Sequence, residues 1–145
     1  MKASILKSII FLLTLFFSSS ASNASIIKSE KNSTEEIVKH VITSQLAAFK
    51  EKDIEKAYSF ASPNIKKQFS DPRTFGLMVR NGYPVIWKAK SYKFIKFSTK
   101  GKRSIQRVLF RSYKDALLTY DYLLEKFSIG WRISGVIPVK TEGSI

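Results

Sequence analysis

The chain contains no cysteine. That excludes disulfides, thiolate metal sites, a cysteine nucleophile and a lipid-modified N-terminal cysteine. It contains one histidine, His40, so no two-histidine metal site can form, and a Ser-His-Asp triad would have to use this residue. No phosphate loop or nucleotide fingerprint is present, and Ser62-Pro63-Asn64 lacks the glycines of a nucleophile elbow. No acidic residue lies between Asp71 and Asp115. The one strongly apolar run, Ile9 to Phe17, falls short of the roughly 18 residues that a helix needs to cross a bilayer.

What is present describes a single globular domain. The 145 residues are 44% hydrophobic and 25% charged, proportions of a folded chain rather than a disordered one. The N-terminus reads as a secretory signal. Lys2 and Lys7 make a positive start, Ile9 to Phe17 the apolar stretch, and Ser22 and Ala24 a small-residue cleavage site. Cleavage is expected after Ala24, with Ala21 as the alternative, and the destination is the periplasm or the exterior. Residues 25–32 are expected to form a disordered lead-in, residues 33–140 the single domain, and residues 141–145 a tail.

The net charge is +14, and it is concentrated. Twelve cations, from Arg73 to Lys114, fill the acid-free interval and, with Lys2 and Lys7, account for the whole excess. Lys88, Lys90, Lys93, Lys96, Lys100, Lys102 and Arg103 form a candidate basic surface for anionic lipid or an acidic envelope component. Tyr92, Phe94 and Phe97 interleave with it. The plainer reading is a solvated lysine-rich surface. Nucleic acid is not an expected partner of an exported chain.

Local signals set the element order. Ser33-Thr34-Glu35-Glu36 offers a capping box, and Ile37, Val38, Val41, Ile42, Gln45, Leu46 and Phe49 follow at helical spacing. Asp53 is a good N-cap for a short second helix with Ile54, Ala57, Tyr58 and Ala61 inward. Ser62-Pro63 and Asp71-Pro72 each place proline at a first helical position behind a capping side chain. Ile65 and Phe69, then Phe75, Met78 and Val79, should turn inward. Gly82 is expected to stop the helix, and Tyr83-Pro84 to force an extended exit. Four strand signals follow: Tyr92 to Phe97, Ile105 to Tyr113, Ala116 to Leu124, and Trp131 to Val139. Gly101, Lys114-Asp115 and Gly130 mark the turns, and Trp131, Ile133, Gly135, Ile137 and Val139 should share one face. Helices first and an antiparallel meander afterwards give α+β, with the helices on one face of the sheet.

The segment Phe60-Ala61-Ser62-Pro63, Phe69-Ser70-Asp71-Pro72, Phe75, Met78 to Val85 and Trp87, with Gln106-Arg107-Val108 and Gly130 to Val136, resembles the domain of unknown function 4864 family of exported proteobacterial proteins. The resemblance covers about Ile37 to Val139. It implies the nuclear-transport-factor-2-like, or cystatin-like, fold, in which N-terminal helices pack on a curved antiparallel sheet and a cone-shaped cavity opens between them. Homodimers through the open sheet face are common in that superfold.

In such a cone, Tyr58, Phe60, Phe75, Met78, Arg80, Tyr83, Tyr120 and Trp131 are the candidate pocket, although aromatics at helical spacing serve a core equally well. Arg80 ends a helix, where a cation is favoured, and it could meet a ligand carboxylate together with Tyr83. Asp121 sits between Tyr120 and Tyr122, so strand parity sends it to the opposite face; a salt bridge to Arg107, Arg111 or Arg132 is expected. Enzymes of the superfold pair a pocket carboxylate with tyrosine or histidine, but no second acid lies near Asp121. No catalytic set, cofactor or metal ligand is assigned. The leading expectation is a non-enzymatic exported domain that binds a small apolar ligand or a protein partner. Docking of the basic surface to anionic membrane and an isomerase- or dehydratase-like enzyme are the alternatives.

Overall fold

The computed structural model describes residues 20–140. Most of the expected signal segment (residues 1–19) and the tail (residues 141–145) lie outside the described residues. Five helices, α1 (Ser20–Glu51), α2 (Ile54–Ser59), α3 (Pro63–Gln68), α4 (Pro72–Gly82) and α5 (Pro84–Trp87), precede four strands, β1 (Ser91–Lys100), β2 (Arg103–Arg111), β3 (Leu117–Phe127) and β4 (Gly130–Val139). The strands form one antiparallel sheet in sequence order.

Helix α1 buries Val38, Val41, Ile42, Gln45, Leu46, Ala48 and Phe49, the stripe that helical spacing places on one side. Ile37 falls one residue off that stripe and is 47% exposed. The helix also starts far earlier than expected. Residues 25–32, read as a disordered lead-in, are helical, and Ser33 is an interior residue rather than a cap. No proline or glycine interrupts the stretch, and once a helix is nucleated each added residue needs only one further hydrogen bond. Glu35 and Glu36 instead hold Lys39 at 2.9 and 3.5 Å. Lys52, with φ 61°, breaks the helix.

Three caps form as the sequence predicts. Asp53 accepts from the Lys56 amide at 3.0 Å, Ser62 from the Ile65 amide at 3.3 Å, and Asp71 from the Thr74 amide at 2.9 Å. Two readings at the end of α4 are corrected. Gly82 is the last helical residue, not a left-handed stop, and Tyr83-Pro84 opens α5 instead of an extended exit. The cause is the device seen twice before: Pro84 occupies a first helical position, where a missing N–H costs nothing.

The inner face of the sheet carries Val108 and Phe110 from β2 and Tyr120, Tyr122 and Leu124 from β3, all buried. Two bulges adjust this alternation. Ile95 is skipped in the pairing of β1 with β2, and Ser134 in that of β4 with β3. Each extra residue shifts the side-chain parity of its strand. Trp131 and Ile133 therefore face the core, but beyond Ser134 it is Val136 that packs inward, while Ile137 is 51% exposed. The expected single face through Gly135, Ile137 and Val139 is broken there. Ala61 forms a parallel bridge with Ile133, and the Ser62 amide donates to the Ile133 carbonyl at 2.8 Å, which ties the α2–α3 connection to β4.

Helices α2 and α4 touch closely at Gly76, where a Cβ would lie 2.8 Å from Ile54 Cγ2. Gly76→Ala is expected to lose up to about 2 kcal/mol of stability: overpacking costs about 1–3 kcal/mol, and the better helix propensity of alanine offsets about 1. Gly82→Ala, in the same helix with open space around it, should gain a few tenths to about 1 kcal/mol. Urea unfolding of both variants checks the pair; equal effects would mean that Ile54 moves aside freely.

Candidate functional site

Large side chains occupy the interface between helices and sheet. Tyr122, Phe49 and Phe110 are among the largest fully buried side chains. Phe49 lies 6.1 Å from Phe75 and 5.5 Å from Trp87, and Phe110 lies 5.9 Å from Tyr120, centroid to centroid. Of the expected pocket residues, Phe75, Tyr120 and Trp131 are buried in this cluster, and Tyr58, Phe60, Met78 and Tyr83 pack half-buried against it. The Tyr58 hydroxyl donates to the Phe69 carbonyl, and the Tyr83 hydroxyl to the Val136 carbonyl at 3.2 Å. These aromatics bring the layers together as packing.

Arg80 borders a concavity. A groove of about 300 Å³ runs along the outer side of α4. Ile54, Gly76, Leu77 and Trp87 supply its apolar lining, and Arg73, Arg80 and Glu55 its charges. Leu77 is 50% exposed. Arg73 and Arg80 stand on either side of Leu77 along one helix, and neither has an acidic partner within ion-pair distance among the described residues. Guanidinium groups in this state suit a carboxylate or another planar anion. Gly76 and Leu77 were not singled out in the sequence, while Ile54 was read only as an inward helix residue and Trp87 only as part of the family segment. The signal was Gly76 itself, since a glycine inside a helical pattern often has a packing or functional reason.

The other candidates sit apart. His40 is exposed on α1, and Asp53 is an exposed cap. Asp121 faces outward and receives both Arg107 Nε at 2.7 Å and Arg107 Nη2 at 2.8 Å, one of the salt bridges expected. Neither carboxylate points into the interior. Among the described residues no group of three His, Asp or Glu is placed to hold a metal ion.

The basic surface divides. Lys90 pairs with Asp115 at 2.8 Å and Arg103 with Glu125 at 3.4 Å, while Lys88 lies over the Tyr113 ring at 5.4 Å. Lys93, Lys96 and Lys100 stand exposed along β1, with Lys102 in the turn that follows.

The family profile for Domain of unknown function (DUF4864) matches residues 31–145. The chain belongs to that family. A DUF4864 chain of this architecture is similar to the crystal structure of an NTF-2 like protein of unknown function from Shewanella oneidensis MR-1, at TM-score 0.50 and 13% identity, over 72% of this chain and 98% of that one. It is also similar to a putative NTF2-like transpeptidase from Campylobacter jejuni, at TM-score 0.41 and 16% identity, over 80% of this chain and 98% of that one. No curated protein matches. The fold is α+β and NTF2-like.

One buried group is inert toward proton chemistry. Burial pushes the Tyr122 hydroxyl far above its ordinary pKa, with Tyr120 and Tyr92 adding to the effect, and the hydroxyl has no hydrogen-bond partner among the described residues. A pKa raised in the folded state leaves stability intact below the unfolded value of about 10 and erodes it as pH rises beyond that point. Tyr122→Phe should therefore leave stability at neutral pH unchanged or slightly higher, and should shift the alkaline unfolding midpoint upward. Circular dichroism against pH reads both; a loss above about 1 kcal/mol at neutral pH would mean that the hydroxyl has a partner.

Proposed function

We propose that this DUF4864 protein is an exported, non-enzymatic binding domain whose groove beside α4 takes a small apolar ligand carrying an anionic group. The observation that carries this reading is the joint presence, around about 300 Å³, of an apolar lining (Ile54, Leu77, Trp87) and two guanidinium groups (Arg73, Arg80) that outnumber the one lining carboxylate, Glu55, and have no acid within ion-pair distance among the described residues. That volume sits at the lower end for small-molecule sites. A non-catalytic role is supported by the positions of the candidate acids: Asp53 caps α2, and Asp121 is engaged by Arg107 on the far face of the sheet. Export is supported by the sequence signals Lys2, Lys7, Ile9 to Phe17 and Ala24. Ala24 lies in the second turn of α1, so processing belongs to the precursor before it folds.

Native mass spectrometry of the protein isolated from the periplasm without denaturation tests both parts. The expected species begins at Ser25 and carries a small added mass. Arg80→Gln should weaken retention of that mass about tenfold or more, since a hydrogen bond to a charged group contributes about 1.5–3 kcal/mol, and Leu77→Gln should weaken it further. A bare protein mass in every preparation would overturn ligand binding. An intact N-terminus on soluble periplasmic protein would overturn cleavage. A stoichiometric added mass the size of a polypeptide would replace the small ligand with a protein partner.

A further inference from the structure

The outer face of the sheet, opposite the helices, has an uneven charge that pairing explains. Its cations stand on β2, on β1 and, at Arg132 in register with Glu125, on β4. On β2, Arg103, Arg107 and Arg111 are each matched by an acid: Glu125 at 3.4 Å, Asp121 at 2.7 Å and Asp115 at 3.7 Å. On β1, the partners in register with those arginines are Lys100, Lys96 and Ser91, and Lys93 stands opposite Leu109. Lys93, Lys96 and Lys100 have no acid within ion-pair distance among the described residues, and neither does Lys102 in the β1–β2 turn. The acids of the face are thus engaged by the arginines of β2, and apart from Arg132 on β4 the uncompensated charge lies on β1 and the turn that follows it. At about 3.3 Å per residue, Lys93 to Lys100 spans roughly 20 Å.

Two apolar side chains stand among these lysines. Ile95, at the bulge, is 47% exposed, and Ile105, on the outer face of β2, is 41% exposed. The groove beside α4 does not reach this region. An open ridge of flexible ammonium groups offers point charges without a fixed fork geometry, whereas arginine would select a particular carboxylate arrangement. Such a ridge matches a mobile array of headgroups better than one fixed acidic epitope. Neighbouring aliphatic groups add the shallow apolar contact typical of interfacial binding.

We propose that the β1 edge, through Lys93, Lys96, Lys100 and Lys102 with Ile95 and Ile105, docks onto an anionic lipid surface. This site lies on the face of the fold opposite the helices and does not depend on ligand binding beside α4. Each lysine near an anionic surface raises partitioning about fivefold, and the attraction falls as salt shortens its range.

The test uses the chain as recovered from cells, its mass recorded first, in co-sedimentation with vesicles of phosphatidylcholine alone and of phosphatidylcholine mixed with phosphatidylglycerol. The ratio of the two partition coefficients isolates the electrostatic part, because any apolar contribution of the N-terminal segment enters both. The expected result is preference for the anionic vesicles, lost by about a hundredfold or more in Lys93→Glu/Lys96→Glu/Lys100→Glu. The neutral set Lys93→Gln/Lys96→Gln/Lys100→Gln removes charge without adding repulsion and should itself lose about a hundredfold, at about fivefold for each of three lysines, with the glutamate set losing more. It keeps the test decisive if the glutamate set unfolds. Lys28→Glu/Lys31→Glu/Lys67→Glu, the same charge change on exposed helical positions, should retain most of the preference. Equal loss in the β1 and helical sets would reduce the effect to net charge and overturn the site. Absence of any preference for anionic vesicles would overturn the proposal outright. Displacement from vesicles by an equal charge concentration of polyglutamate, with tighter binding to that polymer, would replace lipid by an acidic protein.

Discussion

Burial of the Val38, Ile42 and Phe49 stripe of α1 in one cluster with Val108, Phe110 and Tyr122 of the sheet fixes where everything else can go. These side chains are almost wholly removed from water, and each large apolar group so removed contributes about 1.5–3 kcal/mol. With no cysteine to form a disulfide, the fold rests on this cluster. The short helices then close the ends of the interface. Gln45 Nε2 donates to the Ala57 carbonyl at 3.2 Å, which links the stripe to α2, and Phe75 and Trp87 carry α4 and α5 onto Phe49. The groove beside α4 lies outside this cluster, at the outer junction of the short helices.

The same core determines how the sheet ends. An open four-stranded sheet has two edges with unpaired backbone groups, and such edges invite pairing with other chains. Each edge is blunted differently. On β1 the bulge at Ile95 interrupts the ladder and lysines project beside it. On β4, Pro138 removes a donor, and the Ala61 bridge covers part of the strand. The β1 lysines thus have a structural role that stands whether or not a lipid surface is their partner.

Much of the architecture was legible because its causes are local. Asp53, Ser62-Pro63 and Asp71-Pro72 start helices through side-chain bonds that reach three residues along the chain, so the sequence alone displays them. Period-two alternation located Tyr120, Tyr122 and Leu124, and the parity of Asp121 followed from theirs. What escaped was non-local. The bulges at Ile95 and Ser134 leave no compositional mark and are set by pairing across the sheet. The start of α1 was misplaced because a capping sequence cannot stop a helix already propagating through it. The groove depends on how closely α2 crosses α4 at Gly76, which no reading of either helix alone contains. Aromatic lining and aromatic core have the same pattern in sequence, so only packing distinguishes Tyr58, Phe75 and Tyr120 as interior.

Helix α1 joins two regimes of stability in one continuous element. Residues 22–33 are exposed throughout, Ile26 and Ile27 at 63% and 65%, and burial begins only at Val38. The first turns are therefore held by little beyond their own backbone bonds, and an unsupported helical segment of that length is marginal in water. Amide protons there exchange through local fraying, while those beyond Val38 exchange only when the core opens. The cooperative unit is bounded by where side chains become buried, not by where the helix begins, and a protease can trim the first turns without disturbing the remainder. The family match, which begins at residue 31, falls near that thermodynamic boundary and well inside the helix.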